Sequence, residues 1–121
     1  MEFANKLSGQ IQSRNISDIS DDIKIIIGDL SGLCHDVRVM LFGSFVEGTA
    51  HDSSDIDLVV IVPDLVNLKS FKKDFYRTRT RIRMPVDFIF RNQSQFGNSG
   101  NPVDDEVQKK GVEIYPEWAL K

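Results

Sequence analysis

Three aspartates and a glycine turn are the residues of this sequence whose types and spacing could do chemistry. Asp55 and Asp57 flank Ile56 at the head of an apolar run. If that run is a strand, residues 55 and 57 share one face and Ile56 takes the other. Two carboxylates side by side repel, and a divalent cation between them relieves the repulsion. A solvated strand entrance rich in Asp and Ser, with Asp52, Ser53 and Ser54 just before, is the bland alternative. Asp87 lies near the start of a second apolar run, flanked by Val86, Phe88 and Ile89. An acid there is costly to bury without a partner, and Arg83 and Arg91 are close enough in sequence to pair with it. Gly43-Ser44, followed by Gly48, falls where a strand gives way to a short helix. Glycines at such a turn let the backbone approach a ligand, and exposed N–H groups at a helix start suit a phosphate.

The elements that must position these residues are legible in the periodicity. Ile16, Ile19, Ile23, Ile26, Ile27 and Leu30 recur at helical spacing and predict an amphipathic helix over 18–31, with Ser17 or Ser20 as N-cap and Gly32 as its stop. Residues 37–42 are apolar and β-branched and read as a first strand ending at Gly43. Residues 56–62 read as a second, buried strand closed by Pro63. Leu68, Phe71 and Phe75 predict a helix over 67–79. Residues 85–90 read as a third strand, with Pro85 at a first position where it leaves the ladder intact. A polar loop over 92–101 leads to a short helix near 103–110 that stops at Gly111, and 112–115 reads as a last short strand. This alternation predicts an α/β (α+β) fold, a small mixed β-sheet with flanking helices, in a single domain over 1–121 with its core at about 16–115.

Gly43-Ser44 follows the first strand, whereas Asp55 and Asp57 open the second. They meet at one edge only if those strands are antiparallel. A helix between the second and third strands makes those two parallel neighbours by a right-handed crossover. All three carboxylates and the glycine turn then line one end of one sheet.

In that arrangement the sequence resembles the polymerase-β-like nucleotidyltransferase superfamily, carried by Gly43-Ser44-x-x-x-Gly48, by Ser54-Asp55-Ile56-Asp57-Leu58 and by Asp87 between apolar residues. It is most similar to the minimal nucleotidyltransferases, small single-domain proteins often encoded beside a HEPN-type ribonuclease toxin. The resemblance spans nearly the whole chain. It implies a polymerase-β palm-like fold, two Mg²⁺ ions held by Asp55, Asp57 and Asp87, and an ATP or other nucleoside triphosphate bound at Gly43, Ser44 and Ser54. It implies Asp87 as the base for an attacking hydroxyl, and transfer of a nucleoside monophosphate, such as AMP, to that hydroxyl. A chain of 121 residues leaves no room for a further acceptor-holding domain, so the acceptor is expected to arrive as a partner. The resemblance implies a HEPN-type toxin in that role, with this chain as its antitoxin. Glu47 stands where many minimal members carry a basic residue before the second glycine. A non-catalytic interaction protein on the same scaffold is the alternative reading.

Composition narrows the classes further. Apolar residues make up 40% and charged residues 27%, values of an ordinary globular protein rather than a disordered tail. The longest apolar run is too short for a bilayer. The start, Met1-Glu2-Phe3-Ala4-Asn5-Lys6, lacks the pattern of a secretory leader. Cys34 is the single cysteine, which excludes an internal disulfide and a thiolate cluster. A cytoplasmic setting is therefore expected. Net charge is −3, yet residues 66–91 carry eight cationic side chains against two carboxylates, a local balance of +6. That segment could meet phosphates or an acidic partner. Without a recognisable binding motif, and with net negative charge, a nucleic-acid module is the least favoured class.

Overall fold

The structure is a computed structural model that describes residues 14–98 and 100–118. The Met1–Lys6 reading lies outside the described residues. A short 3₁₀ turn, Ile16–Asp18, opens the chain. Asn15 caps it, its side-chain oxygen accepting from Ser17 N–H at 3.0 Å while its own N–H donates to Asp18 at 2.8 Å. Helix α1 (Ser20–Leu33) follows, then β1 (Arg38–Phe42), α2 (Ser44–Glu47), β2 (Ile56–Val62), α3 (Leu68–Thr78), β3 (Val86–Asn92), α4 (Pro102–Lys110) and β4 (Val112–Tyr115).

Three boundaries differ from the sequence expectation by two residues, the start and end of α1 and the end of β3. The cap lies on Asn15, upstream of the serines, and Ile19 links the 3₁₀ turn to α1 without a side-chain cap. Gly32 does not stop α1, which runs on to Leu33 until Cys34 turns to extended φ/ψ. A glycine inside a helix costs about 1 kcal/mol and does not by itself end it. Strand β3 also extends to Asn92, whose side-chain amide donates to the Pro63 and Val66 carbonyls at 3.2 and 3.1 Å.

The four strands form one sheet in the order β3-β2-β1-β4. β1 pairs antiparallel with β2 and with β4, and β2 pairs parallel with β3, as the chain-order argument requires. Period-two alternation divides the sheet into two faces. One carries Val39 and Leu41, then Leu58 and Val60, then Phe90 and Ile114, and packs against Ile19, Ile23, Ile26, Leu30, Phe71 and Phe75 of the α1 and α3 side. The other carries a smaller cluster of Met40, Val59, Ile61 and Val107, bordered by Phe42, Ile89 and Phe96. Helix α4 covers that second face over part of its length. No helix among the described residues is long and apolar enough to cross a membrane.

Candidate active site

The second face changes character at one end. Strand register places Phe42, Asp57 and Asp87 side by side across β1, β2 and β3. In the next row Met40, Val59 and Ile89 are apolar. Asp57 and Asp87 are thus direct neighbours on parallel strands about 4.8 Å apart. Asp55 stands two residues before Asp57, just ahead of the strand, and is exposed. Ile56 between them is fully buried. Asp87 is exposed too, so the expected need for an ion-pair partner does not arise. Arg91 is committed elsewhere: its Nε donates to both oxygens of Asp104 at 3.1 and 3.2 Å, and Asp104 is fully buried.

The three carboxylates act on one another. The Asp57 carboxyl is pushed up to about 6, first by its burial, then by the charges of Asp87 and Asp55. Negative charge is therefore held at this point against its own electrostatics, the situation a hard cation with oxygen ligands relieves. The donor set, carboxylate oxygens alone, suits a hard divalent cation of the Mg²⁺, Ca²⁺ or Mn²⁺ kind and not a thiolate-seeking metal. Among the described residues no three acidic, histidine or cysteine side chains already converge as a metal-holding group, so the carboxylates form an open set and not a closed cage.

The glycine turn reaches the same point. Gly43 has φ +81°, in the region that favours glycine. A Cβ at residue 43 would run into Asp57 Oδ2, with Asp57 Cγ 3.2 Å away. The residue is glycine for two independent reasons, its dihedral and its approach to the carboxylate. Ser44 begins α2, where the Val46 and Glu47 N–H groups both donate to the Gly43 carbonyl at 3.0 Å. The first N–H groups of a helix have no intrahelical partner, so those of Ser44 and Phe45 are left for other acceptors. Phe45 anchors the helix in the core, and Gly48, at φ +80°, closes it. Glu47 is exposed.

The segment leading to Asp55 is built by hydrogen bonds of His51. His51 N–H donates to Ser54 Oγ at 2.9 Å, Ser54 N–H returns to the His51 carbonyl at 2.9 Å, and the His51 ring Nδ1 meets Ser53 N–H at 3.2 Å and its hydroxyl at 2.9 Å. The Ser54 oxygen thus accepts one hydrogen bond within the turn, and its O–H proton remains to offer a ligand. Across the strands, Ile56 N–H donates to the Pro85 carbonyl at 3.0 Å and fixes the entrance of β3 beside that of β2. Spacing around His51 and Pro85 carries no periodic signal, and their roles emerge only from these hydrogen bonds.

A family model described as a nucleotidyltransferase domain matches residues 21–114. Over 99 residues, 80% of this chain and 99% of the relative, the sequence is 28% identical to a candidate protein adenylyltransferase of Methanocaldococcus jannaschii. The crystal structure of a candidate nucleotidyltransferase from Sulfolobus solfataricus superposes with a TM-score of 0.51 at 21% identity, over 84% of this chain and 88% of that one. The RNA terminal uridylyl transferase Cid1 superposes with a TM-score of 0.50 at 16% identity, over 71% of this chain and 35% of its own. These structural likenesses are of fold: a small mixed sheet flanked by helices, of the polymerase-β-like kind.

Proposed function

The chain belongs to the nucleotidyltransferase domain family, and from that membership we propose that it moves AMP from ATP to a hydroxyl of a protein acceptor and releases pyrophosphate. The observation that carries this reading is the pairing of Asp57 with Asp87 in strand register, with Gly43 pressed against Asp57.

Asp55, Asp57 and Asp87 would hold Mg²⁺. Divalent cations bound there supply the charge neutralisation that in-line displacement at the α-phosphorus needs on its attacking and leaving oxygens. The Gly43-Ser44 turn would orient the β- and γ-phosphates through the Ser44 N–H and hydroxyl, and the absent Cβ at residue 43 keeps room for them beside Asp57. Asp87 would accept the proton of the acceptor hydroxyl. As the acceptor oxygen bonds to the α-phosphorus, the bond to the α–β bridging oxygen breaks and pyrophosphate leaves. The Ser54 O–H remains able to donate to the nucleotide.

A protein acceptor is supported by the M. jannaschii relative, named for transfer to protein. A tyrosine of a HEPN-type toxin is the acceptor that the minimal-nucleotidyltransferase resemblance implies, which would make this chain an antitoxin. Glu47, exposed on α2, adds a carboxylate beside the phosphate turn without entering the Asp57–Asp87 row.

The test uses ATP labelled at the α-phosphate, Mg²⁺, the full chain and native extract, beside the Asp55→Asn/Asp57→Asn variant. Label on a protease-sensitive, nuclease-resistant product, present only with intact carboxylates, is the expected result. Nuclease-sensitive label would replace the protein acceptor with RNA. Equal labelling by the double variant would overturn the reading.

A further inference from the structure

The segment between α3 and β3 reads Arg77-Thr78-Arg79-Thr80-Arg81-Ile82-Arg83, an arginine at every second position. Helix α3 ends at Thr78, and Arg79 takes extended backbone angles, φ −65° and ψ 149°. From Arg81 to Met84 the residues alternate in exposure. Ile82 and Met84 pack against the main core, whereas Arg81 and Arg83 are exposed. Thr80 is tied down on α1, its N–H donating to Asp29 at 2.6 Å and its hydroxyl at 3.3 Å. Thr80, Ile82 and Met84 therefore hold the strip from behind and leave the guanidinium groups of Arg81 and Arg83 on its exposed side, whereas Arg77 lies on α3 and pairs with Asp74 at 3.0 Å. A concave space of about 270 Å³ opens on it, lined by Tyr76, Arg77, Arg79 and Arg81.

The strip runs directly to the carboxylate row. It ends at Pro85, whose carbonyl accepts from Ile56 N–H between Asp55 and Asp57. Arg83 precedes Asp87 by four residues, at most about 13 Å of extended chain.

We propose that this arginine strip docks an extended acidic segment of the acceptor protein and so delivers the acceptor to the carboxylate row. The inference rests on the reading of the acceptor as a protein. Alternate residues of an extended peptide repeat every ~6.6 Å, so glutamates or aspartates two positions apart in a partner suit the exposed pair Arg81 and Arg83. Guanidinium groups bind carboxylates with bidentate geometry. A single-stranded nucleic acid is disfavoured by the aromatic groups nearby. Its bases need free ring faces, whereas Arg79 already lies over Phe75, Tyr76 and Phe88 at 5.9, 5.6 and 5.5 Å, and those rings pack edge-on against one another.

The experiment measures binding to the full chain of a fluorescein-labelled eight-residue peptide of alternating Glu and Thr, by anisotropy at low salt. Saturable binding is expected, weakened at least tenfold by Arg81→Glu/Arg83→Glu and retained by Asp57→Asn. A peptide of equal charge with its four glutamates contiguous should bind at least threefold more weakly. Circular dichroism confirms that the exposed double variant is folded, and Arg81→Gln/Arg83→Gln repeats the comparison without reversing charge. Absence of peptide binding, insensitivity to both double variants, equal binding of the contiguous peptide, or tighter binding of an eight-nucleotide oligouridylate would each overturn the proposal. Peptide binding together with failed labelling from ATP would instead locate the fault in the transfer reading.

Discussion

Asp57 holds its proton more tightly than an ordinary aspartate, with its carboxyl at about 6 through burial and the neighbouring Asp87 and Asp55 charges. Because the folded state raises this value above that of the unfolded chain, the folded protein binds the extra proton between about pH 4 and 6. Metal-free stability therefore falls as pH rises through that window, and the deficit is fully present above it. Asp57→Asn should remove the deficit. With the group's partial exposure discounted, the variant should gain on the order of 1 kcal/mol at pH 7 while losing transfer, which thermal melts and the labelling assay read separately. At subsaturating Mg²⁺, wild-type transfer should decline as pH falls through about 6, because a protonated carboxyl no longer serves as an anionic ligand; a profile flat from pH 8 to 5 would contradict this. Gly43→Ala tests the turn. The backbone conformation of residue 43, φ +81° and ψ −152°, alone costs a side-chain-bearing residue about 1–3 kcal/mol, and the collision with Asp57 displaces the carboxylate. Transfer should fall by more than the stability change accounts for, measured as kcat/KM beside urea unfolding.

Elements are where the sequence was most informative, and the limits of that legibility are physical. Strand β2 was readable to the residue because both of its faces are apolar beyond Asp57 and Pro63 bars continuation. The parallel pairing of β2 with β3 followed from the helix between them, and the antiparallel pairing of β1 with β2 is the arrangement that brings the glycine turn to the row of Asp57 and Asp87. The start of α1 lies two residues later than expected because Asn15 caps a separate 3₁₀ turn, a choice that hydrophobic spacing does not encode. The pairing of Arg91 was also hidden, since its partner Asp104 lies on α4 and only the tertiary fold brings α4 over the sheet. That pair makes a prediction for the α4–sheet contact. Arg91→Ala leaves a fully buried carboxylate with little compensation beyond the Gly97 N–H at 3.4 Å. Unfolding by urea should show a loss of about 3 kcal/mol, partly restored by Arg91→Ala/Asp104→Ala.

Across the whole molecule the two layers are unequal. The main core joins α1 and α3 to one sheet face through more than a dozen buried side chains, whereas α4 meets the other face mainly through Val107 and the cluster around Met40, Val59 and Ile61. A layer with less buried apolar contact opens first. Amide exchange should therefore be faster in α4 than in β2, by at least tenfold in protection, and equal protection would show that the domain opens as one unit. The charge is unequal as well: a cationic segment on a chain that is otherwise strongly acidic. The carboxylate row lies at the sheet end left open by the thinner layer, so the face with the smallest core is also the face with the chemistry.

The sheet order has a consequence for biosynthesis. β1 sits inside the sheet, yet one of its two neighbours, β4, is encoded some 70 residues later, and the Arg38–Glu113 salt bridge at 2.9 Å spans 75 positions. During translation β1 can pair with β2 soon after both leave the ribosome, but its other edge stays unpaired until Val112–Tyr115 emerges. An unpaired, largely apolar strand edge is a template for wrong partners. Nascent chains stalled before residue 112 should thus engage chaperones that released full-length chains no longer need.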